Sequence, residues 1–241
     1  MSGPPAVELE RPRRIHLVGA GGAGMSGIAE ILAAMGHRVS GSDERPSSAL
    51  ERLGALGLRT AVGHHPDNLG DAELVACSSA IPAGNVEAAA ARAGGLPVLS
   101  RAELLGAICR QRRTVAVAGG SGKTTTTAML ALILAEAGLA PSFLVGGELV
   151  GLGCGARWDR GEHFVVEADE SDGSFLALGA YAAIVTTVEA DHLDHWGSFE
   201  ALQAGFARFL AAAPGPKVVG ADDPGAAALA AAVPGAQTYG Q

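Results

Sequence analysis

The stretch that most constrains this chain is residues 114–127, Thr-Val-Ala-Val-Ala-Gly-Gly-Ser-Gly-Lys-Thr-Thr-Thr-Thr. Five residues of strand character run into a glycine turn, a lysine and a row of threonines. An apolar helical pattern follows (Met129, Leu130, Leu132, Ile133, Leu134). That order is the layout of a phosphate-binding loop in a parallel α/β unit. Glycines let backbone N–H groups approach phosphate oxygens, and the helix N-terminus adds partial positive charge. Lys123 adds a full charge, and the Thr124 hydroxyl can ligate Mg²⁺. The spacing departs from GxxxxGK[ST], because Val117 stands where the first glycine belongs. The plain alternative is a Gly/Ser turn carrying a solvated lysine. Composition argues against it: the chain has 15 arginines and two lysines, Lys123 and Lys217, and one of the two sits in this loop.

A second glycine loop lies earlier. Residues 14–19 read as a strand, and Gly19, Gly21 and Gly24 form GxGxxG before an apolar helix (Ile28, Ile31, Leu32, Met35). A second strand over 38–43 ends in Asp43, 24 residues after Gly19. Strand, glycines, helix and acid together are the Rossmann fingerprint of a nucleotide diphosphate site. The glycines do not choose between NAD, FAD and a UDP-sugar. Further βα units follow to residue 110, with Ser100 and Glu103 as a capping box. Ser78 and Ser79 end one strand at the edge where ligands sit in open α/β folds. His64 and His65 stand in a loop before Pro66, as surface residues or as ligands.

The charged run 110–113 reads as the joint between two blocks. In the second block a strand over 141–145 is expected, then an irregular glycine-rich stretch over 151–160. A strand from His163 ends at Glu167 in an acidic string, and a buried strand over 181–189 runs on to Asp191, His192 and Asp194. Ser198 caps the next helix. One hydroxyl (Thr124), one carboxylate (Glu167) and one imidazole (His192) at three strand ends suit a Mg-ATP site. In-line phosphoryl transfer needs positioning and charge neutralisation more than a protein nucleophile. No Ser/His/Asp or Cys/His constellation is visible.

The 241 residues suit one large or two small domains. A net charge of −8 argues against a general nucleic-acid binder, so anion binding must be local. No apolar run reaches the ~18–20 residues of a membrane span. Three widely spaced cysteines, Cys77, Cys109 and Cys154, fit a reducing cytoplasm. Residues 1–13 read as a flexible tail rather than a signal peptide.

Several strings together carry a resemblance: residues 19–30, 40–43, 78–81, 122–127, Val-Gly-Gly-Glu at 145–148, Glu-Ala-Asp-Glu-Ser-Asp-Gly-Ser-Phe at 167–175 and Glu-Ala-Asp-His-Leu-Asp at 189–194. Over about residues 14–240 the chain resembles the Mur ligase family of peptidoglycan synthesis, in particular its branch that adds the first amino acid. The resemblance implies an α/β fold with a Rossmann-like UDP-sugar-binding domain (14–110) and a P-loop ATPase domain (111–241, incomplete). It also implies that the family's C-terminal, amino-acid-binding domain is absent here. The implied activity is a cytoplasmic, ATP-dependent ligase joining L-alanine to the lactyl carboxylate of UDP-N-acetylmuramate through an acyl phosphate. Gly119, Gly120, Ser121, Gly122, Lys123, Thr124 and Thr125 would hold ATP. Thr124 and Glu167 would hold one Mg²⁺ and His192 a second, with Lys123, Glu167 and His192 as the catalytic set. Gly19, Gly21, Gly22, Gly24, Met25, Ser26, Asp43, Ser78 and Ser79 would lie at the UDP-sugar.

Two departures matter. The family's loop is usually Gly-Thr-His-Gly-Lys-Thr-Thr, and here Gly120 and Ser121 replace the threonine and histidine. Family members are nearly twice this length, so the chain reads as a partial ligase, inactive by itself, with an unfinished sheet edge that favours self-association. The alternative is a non-catalytic UDP-sugar-binding module derived from such a ligase. A Rossmann oxidoreductase would have no job for the second phosphate loop.

Overall fold

The computed structural model describes residues 7–149 and 151–241. Two compact units divide them. The first runs to Ile108 and includes Ala156–Trp158, and the second holds Cys109–Gly155 and Asp159–Gln241. The division thus falls just before the charged run 110–113. Residues 1–6 of the expected tail lie outside the described residues. Residues 7–13 form neither helix nor strand, but they are not all free: Leu9 is 4% exposed, and the Arg13 N–H donates to His37 Nδ1 at 3.1 Å.

In the first unit the strands are β1 (Arg14–Val18), β2 (Arg38–Asp43), β3 (Arg59–Val62), β4 (Leu74–Cys77) and β5 (Val98–Ser100). They stand in the order β3-β2-β1-β4-β5. β1 pairs in parallel with β2 and with β4. The helices α1 (Ala23–Ala34), α2 (Ser48–Ala55), α3 (Val86–Ala93) and α4 (Arg101–Cys109) complete the βα units. The connection after β1 leads towards β2 on one side, and β4 lies on the other. That reversal opens a crevice at the carboxyl ends of β1 and β4. The core is aliphatic: Ile15, Leu17, Val18, Ile28, Ile31 and Leu32 are at most 1% exposed. α4 starts as expected, with Ser100 N–H and Oγ both donating to Glu103 Oε2 (2.7 and 2.8 Å) and the Glu103 N–H returning to Ser100 Oγ (3.2 Å).

The second sheet holds β6 (Arg113–Ala118), β7 (Ser142–Leu149), β8 (Cys154–Arg157), β9 (His163–Glu167), β10 (Ala182–Val185), β11 (Lys217–Gly220) and β12 (Ala236–Tyr239), all in the second unit save Ala156 and Arg157 of β8. Their order is β12-β11-β10-β6-β9-β7-β8. β6 pairs in parallel with β9 and β10, which flank it. The helices are α5 (Lys123–Glu136), a single turn α6 (Leu193–Trp196), α7 (Phe199–Ala212) and α8 (Pro224–Ala232). Here the aromatics carry the core. Phe143, Phe164, Phe175 and Phe206 are at most 1% exposed, and Phe175 lies 5.4 and 5.0 Å from the rings of Phe206 and Phe209. Two expectations are corrected. Residues 154–157 are a strand, not irregular chain, because they find an edge beside β7. β10 stops at Val185: beyond it the Thr186 N–H still reaches Ala118 O at 3.0 Å, but the Thr186 and Thr187 hydroxyls bond to the glycine loop that turns away after β6.

Candidate functional site

The phosphate loop of the second unit is set by two glycines. Gly119 has φ +134°, and a Cβ there would fall 2.2 Å from Thr186 Oγ1, so no other residue fits. Gly122 has φ +83° and stands as N-cap of α5 without a capping side chain. The loop is strapped from the end of β10. Thr186 Oγ1 lies 2.6 Å from Ser121 O and 3.2 Å from Ala118 O. The Ser121 N–H donates to Thr187 Oγ1 at 2.9 Å, and the Gly120 N–H to Thr187 O at 3.1 Å. The Gly120 and Ser121 amides are thus engaged by the strap, whereas the amides at the start of α5 have no intrahelical acceptor. Thr124 and Thr125 stand exposed there.

The Lys123 ammonium, 22% exposed, donates to Gly119 O and to Glu170 Oε1, both at 2.7 Å. Glu170 is 2% exposed, and its other carboxylate oxygen, Oε2, is buried without a partner. Glu170 was hidden in the sequence among the acids of the 167–172 string. Glu167 ends β9, and its Oε1 accepts the Gly146 N–H of β7 at 2.8 Å. His192 holds φ +53°, unusual for a residue with a Cβ, at the N-cap of α6. Its N–H donates to Asp191 Oδ1 at 2.7 Å, and its ring Nε2 lies 3.6 Å from Asp191 Oδ2. The turn is anchored by Trp196, whose Nε1–H donates to Glu170 O at 2.9 Å. Trp196 packs so closely over α7 that a Cβ at Gly205 would lie 2.5 Å from its ring. A cleft of about 410 Å³ borders the loop, lined by Ser121, Gly122, Thr186, Asp222 and Tyr239 among others. Burial, then the nearby Asp222 carboxylate, pushes the Tyr239 hydroxyl above its ordinary range.

Among the described residues no three His, Cys, Asp or Glu side chains converge as a metal cluster. The expected Mg²⁺ set contains only two such residues. Two of its donors, the Thr124 hydroxyl and a Glu167 carboxylate with one oxygen left by Gly146, are the oxygens a hard cation takes, and the partly buried His192 ring would add a nitrogen donor.

In the first unit Gly19 has φ +84°, and a Cβ there would come within 2.8 Å of Ser78 Cβ, so the glycine loop and the end of β4 meet at the crevice. Ser79 beside it is exposed. Asp43 does not stand free. Its Oδ2 accepts the Gly21 N–H at 2.8 Å, which braces the glycine loop. A Cβ on Gly21 would collide with that oxygen and with Ser47 Oγ. Gly22 is exposed and Gly24 partly so at the start of α1. Met25 and Ser26 are each 1% exposed, and Ser26 Oγ donates to Ala23 O. Their side chains are thus buried, which leaves the backbone of this turn as the part that faces the crevice.

Behind the crevice lies a buried polar hub unseen in the sequence. Glu87 of α3 is fully buried and accepts from Ser42 Oγ (2.5 Å), Asn68 Nδ2 (2.5 Å), His65 N–H (3.0 Å) and His16 Nε2 (3.3 Å). His64 Nδ1 lies 3.4 Å away. Burial pushes the Glu87 carboxyl up, but the hydrogen bonds from His16, Ser42, Asn68 and His65 outweigh it and hold it down at about 2. His64 is thus tied into the wall and His65 is exposed. In the sequence Glu87 looked like one acid in an alanine-rich helix.

Comparison with known proteins follows this division. The model described as "Mur ligase family, catalytic domain" matches residues 14–113, and that described as "Mur ligase middle domain" matches residues 117–240. A UDP-N-acetylmuramate--L-alanine ligase from Solidesulfovibrio magneticus is 51% identical over 219 residues, 90% of this chain and 48% of the relative. One of the same name from Kineococcus radiotolerans is 49% identical, over 100% of this chain and 54% of its own length. The chain therefore spans about half the length of the curated relatives it matches. Among solved structures, a UDP-N-acetylmuramate-alanine ligase from Thermotoga maritima aligns with TM-score 0.85 at 28% identity, over 95% of this chain and 53% of that one. A UDP-N-acetylmuramate:L-alanyl-gamma-D-glutamyl-meso-diaminopimelate ligase from Neisseria meningitides aligns with TM-score 0.85 at 29% identity, over 96% and 79%. With two glycine loops, each following a strand flanked by parallel neighbours, and a family model matched over half its length, the chain belongs to the Mur ligase family.

Proposed function

We propose that this chain carries the sugar-nucleotide and ATP sites of a ligase that joins L-alanine to the lactyl carboxylate of UDP-N-acetylmuramate, in the cytoplasm. The observation that carries the reading is the Lys123 ammonium fixed over a strapped phosphate loop, 2.7 Å from Gly119 O, beside the free amides of α5. The relatives' names supply the substrates. The carboxylate would attack the γ-phosphorus of ATP, releasing ADP. The amine of L-alanine would then attack the acyl phosphate, forming the amide and releasing phosphate.

The residues of this chain act on charge and position. Lys123 and the α5 amides neutralise phosphate oxygens. The Thr186–Thr187 strap holds the loop open before the nucleotide arrives, so little ordering is left for binding to accomplish. Thr124, Glu167 and His192 are the residues that would hold Mg²⁺, which when bound supplies further charge neutralisation. In the first unit the crevice formed by Gly19, Gly21, Gly22, Gly24, Ser78 and Ser79, braced by Asp43, would take the UDP diphosphate.

Separate calorimetric titrations of UDP-N-acetylmuramate and of Mg-ATP into the 241-residue chain test the reading. Both should bind. Lys123→Met should weaken Mg-ATP about tenfold or more, as expected for loss of a charge-assisted contact, and leave the UDP-sugar unchanged. Failure of the parent chain to bind either nucleotide would overturn the assignment of that site.

A further inference from the structure

Lys123 and Trp196 belong to different elements, and one residue touches both. Glu170 Oε1 takes the Lys123 ammonium at 2.7 Å, and Glu170 O takes the Trp196 indole N–H at 2.9 Å. Trp196 closes the single turn that His192 opens. We propose that Glu170 is a positioning residue that couples the phosphate loop to the His192 turn.

The Lys123 ammonium is the first link of this coupling. It has three donors, and Gly119 O and Glu170 Oε1 take two of them in fixed directions, which leaves one for an anion. A lysine on four rotatable bonds would otherwise have to be ordered when the anion binds. Glu170 itself is poised. Its side chain is 3% exposed, its Oε2 is buried without a partner, and its Oε1 is paired with the Lys123 ammonium. When a phosphate draws on Lys123, the buried carboxylate loses part of its compensation, and a buried charge tolerates that poorly. The least costly response is a shift of Glu170, and its backbone cannot shift without moving the carbonyl that holds Trp196. The Gly173 N–H donates to the same carbonyl at 3.2 Å, and Phe175 meets the Trp196 ring edge-on at 6.1 Å. The segment therefore moves as a packed piece rather than as a loose loop. Phosphate occupancy at Lys123 is in this way reported to His192 through one side chain and its own peptide group.

The nucleotide arm of the test rests on the function proposed above, and the ligand-free arm does not. In the Trp158→Phe background Trp196 is the sole tryptophan. Inorganic pyrophosphate with Mg²⁺, and separately Mg-ATP, would be titrated while Trp196 emission and heat are both followed. The parent should show a saturable emission change that tracks the heat. Glu170→Gln should still bind by heat, with the emission change cut about fivefold or more, the size expected when coupled groups are separated. An unchanged emission response in Glu170→Gln, or heat without any emission response in the parent, would overturn the proposal. In the ligand-free arm the Trp196 indole N–H is followed by hydrogen exchange. It should exchange about fivefold faster in both Glu170→Gln and Lys123→Met than in the parent, because breaking the pair at either end loosens the shared carbonyl. Unchanged exchange in both variants would overturn it. If the parent binds neither pyrophosphate nor Mg-ATP, the proposed function fails, and the exchange result alone decides the coupling.

Discussion

Glu87 shows how much a single side chain can organise. Its carboxylate collects donors from β1, β2 and the 64–68 loop, so it must be ionised to satisfy them. Its folded value of about 2 lies below its ordinary 4.5. The stabilisation is therefore complete above about pH 4.5 and is lost as pH falls towards 2, and after allowance for solvent screening it amounts to about 2 kcal/mol. Denaturant unfolding across pH 2–5 should show this loss, and Glu87→Gln should flatten it. The variant should also cost about 2 kcal/mol at neutral pH, because an amide N–H₂ would then face donors. Residues of this kind were illegible in the sequence. Glu87, Glu170, Thr186 and Thr187 have no local motif, and each acquires its role from a partner tens of residues away. The lysine, the glycines and Thr124 were legible because phosphate chemistry demands them in a fixed local order.

At the scale of elements, strands and helices were read well where periodicity and caps agree. β2 occupies the expected 38–43, and the capping box of Ser100 and Glu103 forms as expected. β8 was missed because its four residues, Cys-Gly-Ala-Arg, have no strand pattern and are made a strand by a neighbour. The cap that Ser198 supplies to α7, accepting from the Ala201 N–H at 3.2 Å, is separable from the site. Ser198→Ala should cost about 1 kcal/mol in denaturant unfolding without changing Mg-ATP affinity. The turn after β6 is not separable. Gly119→Ala would set a methyl group 2.2 Å from Thr186 Oγ1 at a φ of +134°, so the strap must break or the loop must shift. Mg-ATP affinity should fall at least about tenfold, with UDP-sugar affinity retained as the control.

At the scale of the whole molecule, two units each carry one glycine loop at the carboxyl end of a strand with parallel neighbours. Each ligand should therefore stabilise the unit that holds it. Calorimetric scans with UDP-N-acetylmuramate at ~100 times its Kd should stabilise the first unit by about 2.7 kcal/mol, and Mg-ATP should do the same for the second. Hydrogen exchange resolved along the sequence assigns each gain to residues before or after Ile108. Protection by either ligand confined to the wrong unit would overturn the division of labour.

The scarcity of lysine has a practical outcome for the ion pair at Lys123. An amine-acylating reagent meets the α-amino group and only two side chains, Lys123 and Lys217. Lys123 is 22% exposed and held by a carboxylate, so its acylation should lag and should stop when pyrophosphate occupies the loop. Trypsin does not cut at an acylated lysine, so the balance between peptides 114–157 and 114–123 in mass spectrometry reads the state of the loop directly, which makes the protein its own footprinting probe.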